Sequence, residues 1–260
     1  MNRPDPDWAR QAVARLTARL RTDDPRPVVL ALSGGGDSVA LLHLASAWAR
    51  ANGRPLLSVT VDHGLNPDSA DWTRRAGEAA QAVGADWRAL DWTGPKPSTG
   101  LPAAAREARH RLLAGAARAA GARVILMAHT ADDVAEGELM RANGSTLGRL
   151  QDWSPSPVWP DGRGLMLLRP LLEARRGALR VWLASQGLAW IEDPANDDLR
   201  HPRVRARRAL AGTTPTPGPD EPGPVHGVLA VEDDLIRLAR DASARALSAA
   251  LVCAGGGDRP

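Results

Sequence analysis

The groups best suited to chemistry in this sequence stand in three short stretches, each placed after an apolar run. The first, Ser33-Gly34-Gly35-Gly36-Asp37-Ser38, follows Val28-Val29-Leu30-Ala31-Leu32 and leads into Val39-Ala40-Leu41-Leu42. Successive glycines adopt φ > 0 without a Cβ clash and let a ligand approach the backbone. Amides at a helix start can then converge on an anion, above all a phosphate. The loop lacks the Gly-Lys-Ser/Thr of a Walker A loop and the G-x-G-x-x-G of a dinucleotide fingerprint. By itself it reads equally as a phosphate cradle or as a glycine turn in which Asp37 or Ser38 caps a helix. The second stretch is Asp62-His63-Gly64-Leu65, after Leu56-Leu57-Ser58-Val59-Thr60-Val61. The third is Ala128-His129-Thr130-Ala131-Asp132-Asp133, after Val124-Ile125-Leu126-Met127, with Glu136 just beyond. Asp133 and Glu136 are three apart, hence on one helical face, and so are Arg106 and Arg109. Read alone, His129 is equally a strand-end histidine, and the two arginines are a solvated helix face.

The elements that must position these groups follow from hydrophobic spacing. Residues 8–21 have apolar positions at helical intervals and an arginine face, and Pro25 and Pro27 end that helix. Helix and strand patterns then alternate. The strands cover 28–32, 56–61, 86–92 and 124–127, and the helices include one capped by Asp68 or Ser69 and an Ala/Arg-rich one over 102–120. Residues 143–164 read as loop, 173–185 as helix, and 231–251 as an amphipathic helix beyond a Pro/Gly-rich linker at 212–224. Such alternation predicts an α/β fold, a Rossmann-like parallel sheet with helices on both faces and a small C-terminal helical extension. The expected divisions are a catalytic domain over 1–211 with its core at about 26–208, the linker at 212–224, and a helical segment over 225–260. Ligands of such sheets sit beyond the carboxyl ends of the strands, where the Ser33, Asp62 and His129 stretches all fall.

Composition narrows the chemistry. The 260 residues suffice for one sizeable α/β domain and an appendage. The single cysteine, Cys253, excludes an internal disulfide framework, a Cys-x-x-Cys redox pair, a zinc ribbon and a cysteine-held iron–sulfur cluster. No apolar run approaches the ~20 residues of a membrane span, so a cytoplasmic protein without membrane attachment is expected. Net charge is only +3, yet Lys96 is the sole lysine among 33 basic residues, and arginine suits bidentate phosphate contacts. Phe and Tyr are absent while Trp occurs nine times, for which folding physics offers no reason.

Taken together, the stretches carry a family resemblance. The loop from Ser33 to Ser38 resembles the pyrophosphatase loop of the N-type ATP pyrophosphatases, whose fold is adenine nucleotide alpha hydrolase-like. The stretch from Ala128 to Asp133 resembles the second motif of one branch, tRNA(Ile)-lysidine synthetase. Four further stretches strengthen that likeness: Asp62-His63-Gly64-Leu65, Ala105-Arg106-Glu107-Ala108-Arg109, Arg169-Pro170-Leu171-Leu172 and Ile191-Glu192-Asp193-Pro194-Ala195-Asn196-Asp197. A spaced set is far more specific than any one motif.

The resemblance implies an enzyme that uses ATP and Mg²⁺ to adenylate C2 of the wobble cytidine in a CAU-anticodon isoleucine tRNA, and then free L-lysine to displace AMP. It implies ATP contacts at Ser33, Gly34, Gly35, Gly36, Asp37, Ser38, Asp62, His63 and His129, with Asp37 also the candidate for Mg²⁺. Arg106 and Arg109 would neutralise phosphate, and Asp132, Asp133 and Glu136 would handle lysine. Asp37, Arg106, Arg109, Asp133 and Glu136 form the implied catalytic set. Arg200, Arg203, Arg205, Arg207 and Arg208, reinforced by Arg141, Arg149 and Arg169, would meet the tRNA backbone. A homodimer is left open. The pattern departs from the family at Gly137, where Thr is common, at His110, where Tyr is common, and at Ala142-Asn143-Gly144, where Arg-Gly is usual. Longer relatives carry further C-terminal tRNA-binding domains. Two alternatives stand beside this one: another tRNA-modifying enzyme with the same loop, and a non-catalytic ATP-binding module.

Overall fold

Helices and strands follow the alternation of the apolar runs. The computed structural model describes residues 5–145, 148–194, 202–210, 228–232, 235–238, 240–242 and 247. The order is α1 (Asp7–Arg19), β1 (Val28–Ala31), α2 (Gly36–Ala51), β2 (Leu56–Asp62), α3 (Ser69–Ala82), β3 (Asp86–Asp91), α4 (Leu101–Ala119) and β4 (Val124–Leu126). It continues with α5 (Ala131–Ala142), β5 (Trp153–Pro155), β6 (Met166–Leu168), α6 (Arg176–Ser185), α7 (Pro202–Ala209), β7 (Val228–Glu232) and β8 (Leu235–Leu238).

Six strands form one sheet in the order β3-β2-β1-β4-β6-β5, parallel throughout except for β5 against β6. The register sets Val29 beside Leu57 on one side and Ile125 on the other, and Ile125 beside Leu167. These four pack on one face with Leu113, Ala114 and Ala117 of α4. The alternate residues Val28, Leu30, Leu126 and Leu168 face the other way, onto Leu16 of α1, Leu41 of α2 and Leu179 and Leu183 of α6. Strands buried on both faces are near-continuously apolar for this reason. From β1 the sheet grows through β2 and β3 on one side and through β4 and β6 on the other. The crevice beyond the carboxyl ends of β1 and β4 is therefore the topological switch point.

The expected sheet with helices on both faces is present, and two stretches differ from expectation. Residues 153–155, read as loop, form the antiparallel edge strand β5, anchored by Trp153 at 1% exposure. Three residues, the last of them a proline and with Pro157 just beyond, are too few to show an alternation. Within the segment read as a C-terminal helix, β7 and β8 pair antiparallel, with Glu232 opposite Leu235. The i, i+3 spacing of Leu235 and Leu238 suggested a helix. The β-branched Val228, Val231 and Ile236, and the two residues separating the strands, suit a hairpin instead. The linker expected at 212–224 lies outside the described residues. Among the described residues no helix is long and apolar enough to cross a membrane.

Candidate active site

The glycine loop is the turn from β1 into α2. Gly34 has φ +81°, and a Cβ there would collide with Cδ1 of Ile191, whose backbone N donates to the Gly34 carbonyl at 2.9 Å. Conformation and close approach together require glycine at that position. Nothing internal requires it at the next two. A Cβ on Gly35 would come no nearer than 3.6 Å to Ser33 Oγ, and one on Gly36 no nearer than 3.5 Å to Trp190. Glycine there keeps the outer side of the loop free for a ligand. Gly35 is the N-cap of α2 and no side chain caps it; the first helical bond runs from Val39 N to Gly35 O at 3.0 Å. The amides of Gly36, Asp37 and Ser38 thus precede that bond, at the positive end of a 16-residue helix. The Ser33 and Ser38 hydroxyls lie 3.1 Å apart beside them. The geometry is that of a cradle suited to a phosphate, with two hydroxyls beside the free amides.

Beside the cradle lies a cluster of carboxylates and guanidinium groups. Thr130 caps α5: Asp133 Oδ2 accepts the backbone N–H of Thr130 at 2.8 Å and its hydroxyl at 2.9 Å. Ala131 N donates to Ala174 O at 3.0 Å, which fixes the start of α5 against the approach to α6. Arg176, the first residue of α6, then spans three acidic groups. Its Nε donates to Asp37 Oδ2 at 3.1 Å, its Nη1 to Glu136 Oε1 at 3.0 Å, and its Nη2 to Asp133 Oδ1 at 3.2 Å. From α7, Arg203 donates to Glu136 Oε2 at 2.9 Å and to Asp133 Oδ1 at 2.8 Å, and Arg207 donates to Glu136 Oε1 at 2.8 Å.

Burial opposes charge in this cluster, and the partners decide each outcome. Burial raises Glu136, but hydrogen bonds from Arg207 and Arg203 and the charge of Arg176 outweigh it and hold the carboxyl below its ordinary range. Asp37 goes the other way. Burial lifts it, Arg176 only partly offsets that, and Asp133 adds to the rise. Burial lowers Arg176, yet Asp133, Asp37 and Glu136 more than reverse this and hold it above its ordinary value. The Oδ1 of Asp37 is buried and has no hydrogen-bond partner among the described residues. A carboxylate oxygen left over beside a phosphate cradle fits a divalent cation shared with phosphate oxygens.

A third wall is basic and holds histidines. Arg109 is half-buried on α4, its Nε has no acceptor among the described residues, and burial with the charges of Arg106 and Arg203 lowers it to about 10. His110 is buried and pushed down to about 3, first by burial and then by Arg109. Burial and Arg109 also lower His63, which meets Trp92 edge-on at 5.9 Å. Asp62 Oδ1 accepts the Gly64 N–H at 2.7 Å and shapes the turn after β2.

The structure thus brings Ser33–Ser38, Asp133, Glu136 and Arg203 and Arg207 into one site. It does not bring Asp132 into it: that carboxylate accepts from Arg175 Nη2 at 3.2 Å and from Arg176 N at 2.8 Å, tying α5 to α6. Arg203 and Arg207, expected on an RNA surface, are turned inward to Asp133 and Glu136, whereas Arg205 and Arg208 are exposed. Arg200 lies outside the described residues. Arg169, expected to reinforce the RNA surface, is 5% exposed, so it is not part of one. Arg149 is exposed near Glu138, and Arg141 pairs with the same carboxylate. Sequence reasoning missed Arg176. Its signal was the Arg175-Arg176 pair opening a helix, where the dipole disfavours positive charge and an outside acid must compensate.

A family model described as a PP-loop domain matches residues 8–213. A tRNA(Ile)-lysidine synthase of Caulobacter vibrioides is 50% identical over 251 residues, covering 96% of this chain and 61% of that protein. One of Hyphomonas neptunium is 43% identical over 188 residues, covering 71% of this chain and 50% of that protein. The chain therefore spans between half and two thirds of the length of these curated relatives. Among solved structures, a U34-tRNA thiolase from Methanococcus maripaludis with its [4Fe-4S] cluster aligns at TM-score 0.64 and 16% identity, over 78% of this chain and 72% of that one. An NMN synthetase from Francisella tularensis aligns at TM-score 0.51 and 13% identity, over 81% and 87%. At these identities the likeness is one of fold.

Proposed function

We propose that this chain, which belongs to the PP-loop domain family, is an ATP-dependent ligase that joins lysine to C2 of the wobble cytidine of a CAU-anticodon isoleucine tRNA. The observation that carries the reading is Arg176, one guanidinium bonded at once to Asp37 of the phosphate cradle and to Asp133 and Glu136 of α5. Groups suited to a phosphate and groups suited to an amine are thereby adjacent, as a two-step adenylation and amine transfer demands. The likeness to the Caulobacter and Hyphomonas tRNA(Ile)-lysidine synthases supports the same reading.

In the first step the C2 oxygen of cytidine bonds to the α-phosphorus of ATP and the bond to the pyrophosphate oxygen breaks. The amides of Gly36, Asp37 and Ser38 and the hydroxyls of Ser33 and Ser38 receive the leaving charge, with Arg106 and Arg109 on the far wall. Asp37 Oδ1, buried and without a hydrogen-bond partner among the described residues, would hold Mg²⁺, and the ion would supply further charge neutralisation there. In the second step the neutral ε-amine of lysine bonds to C2, the C2–O bond breaks with its electron pair leaving on AMP, and the cationic nitrogen so formed gives its proton to water. Near pH 7 only roughly one lysine side chain in two or three thousand is neutral, whereas the α-amino group, with a reference pKa near 8, is the easier competitor. Carboxylates that hold the α-ammonium away from C2 resolve that competition, and the adjacency of Asp133 and Glu136 to the cradle supports this role for them.

Those carboxylates are already engaged. Asp133 and Glu136 face Arg176, Arg203 and Arg207. A lysine ammonium must replace a guanidinium, and an RNA phosphate offers Arg203 and Arg207 an alternative acceptor. RNA loading before lysine binding follows. The test is pyrophosphate release from ATP with Mg²⁺ and this tRNA. It should require the RNA and vanish in Asp37→Ala with or without lysine. Release indifferent to RNA would overturn the reading.

A further inference from the structure

Arg169 is a buried cation that serves neither the acidic cluster nor an RNA surface. It is 5% exposed at the end of β6, in the Arg-Pro-Leu-Leu stretch. Its Nη1 donates to Gln151 O at 2.8 Å and to Ser154 Oγ at 2.9 Å, which anchors it to the edge of the sheet. Its Nε donates to His129 Nδ1 at 3.2 Å. An arginine stays protonated and only donates, so Nδ1 of His129 is an acceptor and carries no proton. The imidazole is then the neutral tautomer with its hydrogen on Nε2, and Nε2 has no acceptor among the described residues.

Among the described residues, the charges that act most strongly on this ring are all arginines: Arg169 after β6, Arg109 and Arg106 from α4, and Arg203 from α7. Burial and these four cations keep the ring from taking a second proton. His129 directly precedes Thr130, the cap of α5, beyond β4 and beside the cradle at the end of β1. Because β4 pairs with β1, His129 stands at the mouth of the crevice beyond both strand ends, within the region a nucleotide on the cradle would occupy. A base in that place would need a free lone pair, and the ring's only lone pair is taken by Arg169.

We propose that Arg169 is a positioning residue that locks His129 as an Nε2–H donor to a charge-gaining oxygen of the nucleotide, and that His129 is not the base that deprotonates lysine. This rests on the ligase reading for the identity of the nucleotide. The tautomer itself is a property of the protein alone.

Two measurements test it separately. In full-length protein labelled with ¹⁵N-histidine, without RNA or lysine, long-range ¹H–¹⁵N spectra should show His129 as the Nε2–H tautomer, with no titration between pH 8 and 5.5. The signal is assigned by its loss in His129→Gln. An Nδ1–H tautomer or an imidazolium at pH 7 would overturn the inference whatever the enzyme does. In the adenylation assay, His129→Gln keeps an N–H donor near the Nε2 position and His129→Asn does not. Losing one oxyanion donor costs about 10²–10³-fold in rate, so the Asn variant should fall by that factor and the Gln variant by about tenfold or less. Equal loss in both would refute the donor role. Arg169→Lys, which retains a donor, should keep the tautomer, and Arg169→Met, which frees Nδ1 of its donor, should let the Nδ1–H tautomer appear while burial and the remaining arginines keep the ring neutral. A ring whose signals are unchanged in folded Arg169→Met would overturn the positioning role. Failure of the ligase reading would look different, with the tautomer as stated and no adenylation in any variant.

Discussion

Removing Glu136 probes the site where its forces are largest. The side chain is 1% exposed and accepts three charged hydrogen bonds, from Arg176 at 3.0 Å, Arg203 at 2.9 Å and Arg207 at 2.8 Å. Deleting one member of a buried ion cluster costs about 3–5 kcal/mol, because the partners are left uncompensated. Here the lower end applies. Arg203 and Arg207 are 42% and 34% exposed and can turn to water, and Arg176 keeps Asp37 and Asp133. Glu136→Ala should therefore lose about 3 kcal/mol, roughly 6–12 °C in Tm for a domain of this size. Glu136→Gln, which keeps one acceptor oxygen, should lose less. Tryptophan fluorescence during thermal unfolding reads the shift. The carboxyl lies below its ordinary value in the fold, so its contribution is full above the unfolded pKa and fades as pH falls through the folded one. The gap between wild type and Glu136→Ala should therefore close in acid. A loss under 0.5 kcal/mol at pH 7, or a gap that widens in acid, would refute the balance of forces assigned to the cluster. Well below the Tm, the variant should lose lysine transfer more than adenylation, and equal loss of both would remove Glu136 from lysine handling.

Three other outcomes are expected. Gly34→Ala places a side chain at φ +81° against Ile191, which at about 1–2 kcal/mol for the backbone alone should lower Tm and weaken ATP binding measured by calorimetry; unchanged ATP affinity would contradict the loop geometry. His110 is held near pKa 3, so below the unfolded value of about 6.5 the unfolded chain binds one more proton and stability falls with acid by about 1.4 kcal/mol per pH unit. His110→Gln should flatten that slope in urea titrations between pH 6 and 4, and an identical slope would show that the ring is protonated in the fold. Arg203→Gln with Arg207→Gln should raise the affinity of the free protein for lysine while reducing the salt slope of tRNA binding by roughly 0.7 per lost contact. Weaker lysine binding without RNA would show that these arginines assist the amine site and do not compete for it.

What was legible in the sequence was local. The turn from Ser33 to Ser38, the strands before it and before His129, and the shared face of Asp133 and Glu136 follow from spacing over a few residues. The parallel sheet followed from alternation of such runs. Contacts between distant residues were not legible: Arg176 meets Asp37 139 residues away, and Arg169 meets His129 across 40. Arg203 and Arg207 illustrate the difference. Their charge and clustering suggested a surface, and only the packing of α7 against α5 shows that the buried Glu136 claims both. β5 and the β7–β8 hairpin escaped because three to five residues carry too little period to outweigh nearby prolines or a chance helical spacing.

The measurement that tests the central claim most directly is mass spectrometry of digested CAU-anticodon isoleucine tRNA after incubation with this protein, ATP, Mg²⁺ and lysine. A lysine adduct on the wobble cytidine that depends on ATP is expected, with adenylated cytidine accumulating when lysine is withheld. An unmodified cytidine, from protein shown to be folded and to bind both ATP and this tRNA, would contradict it.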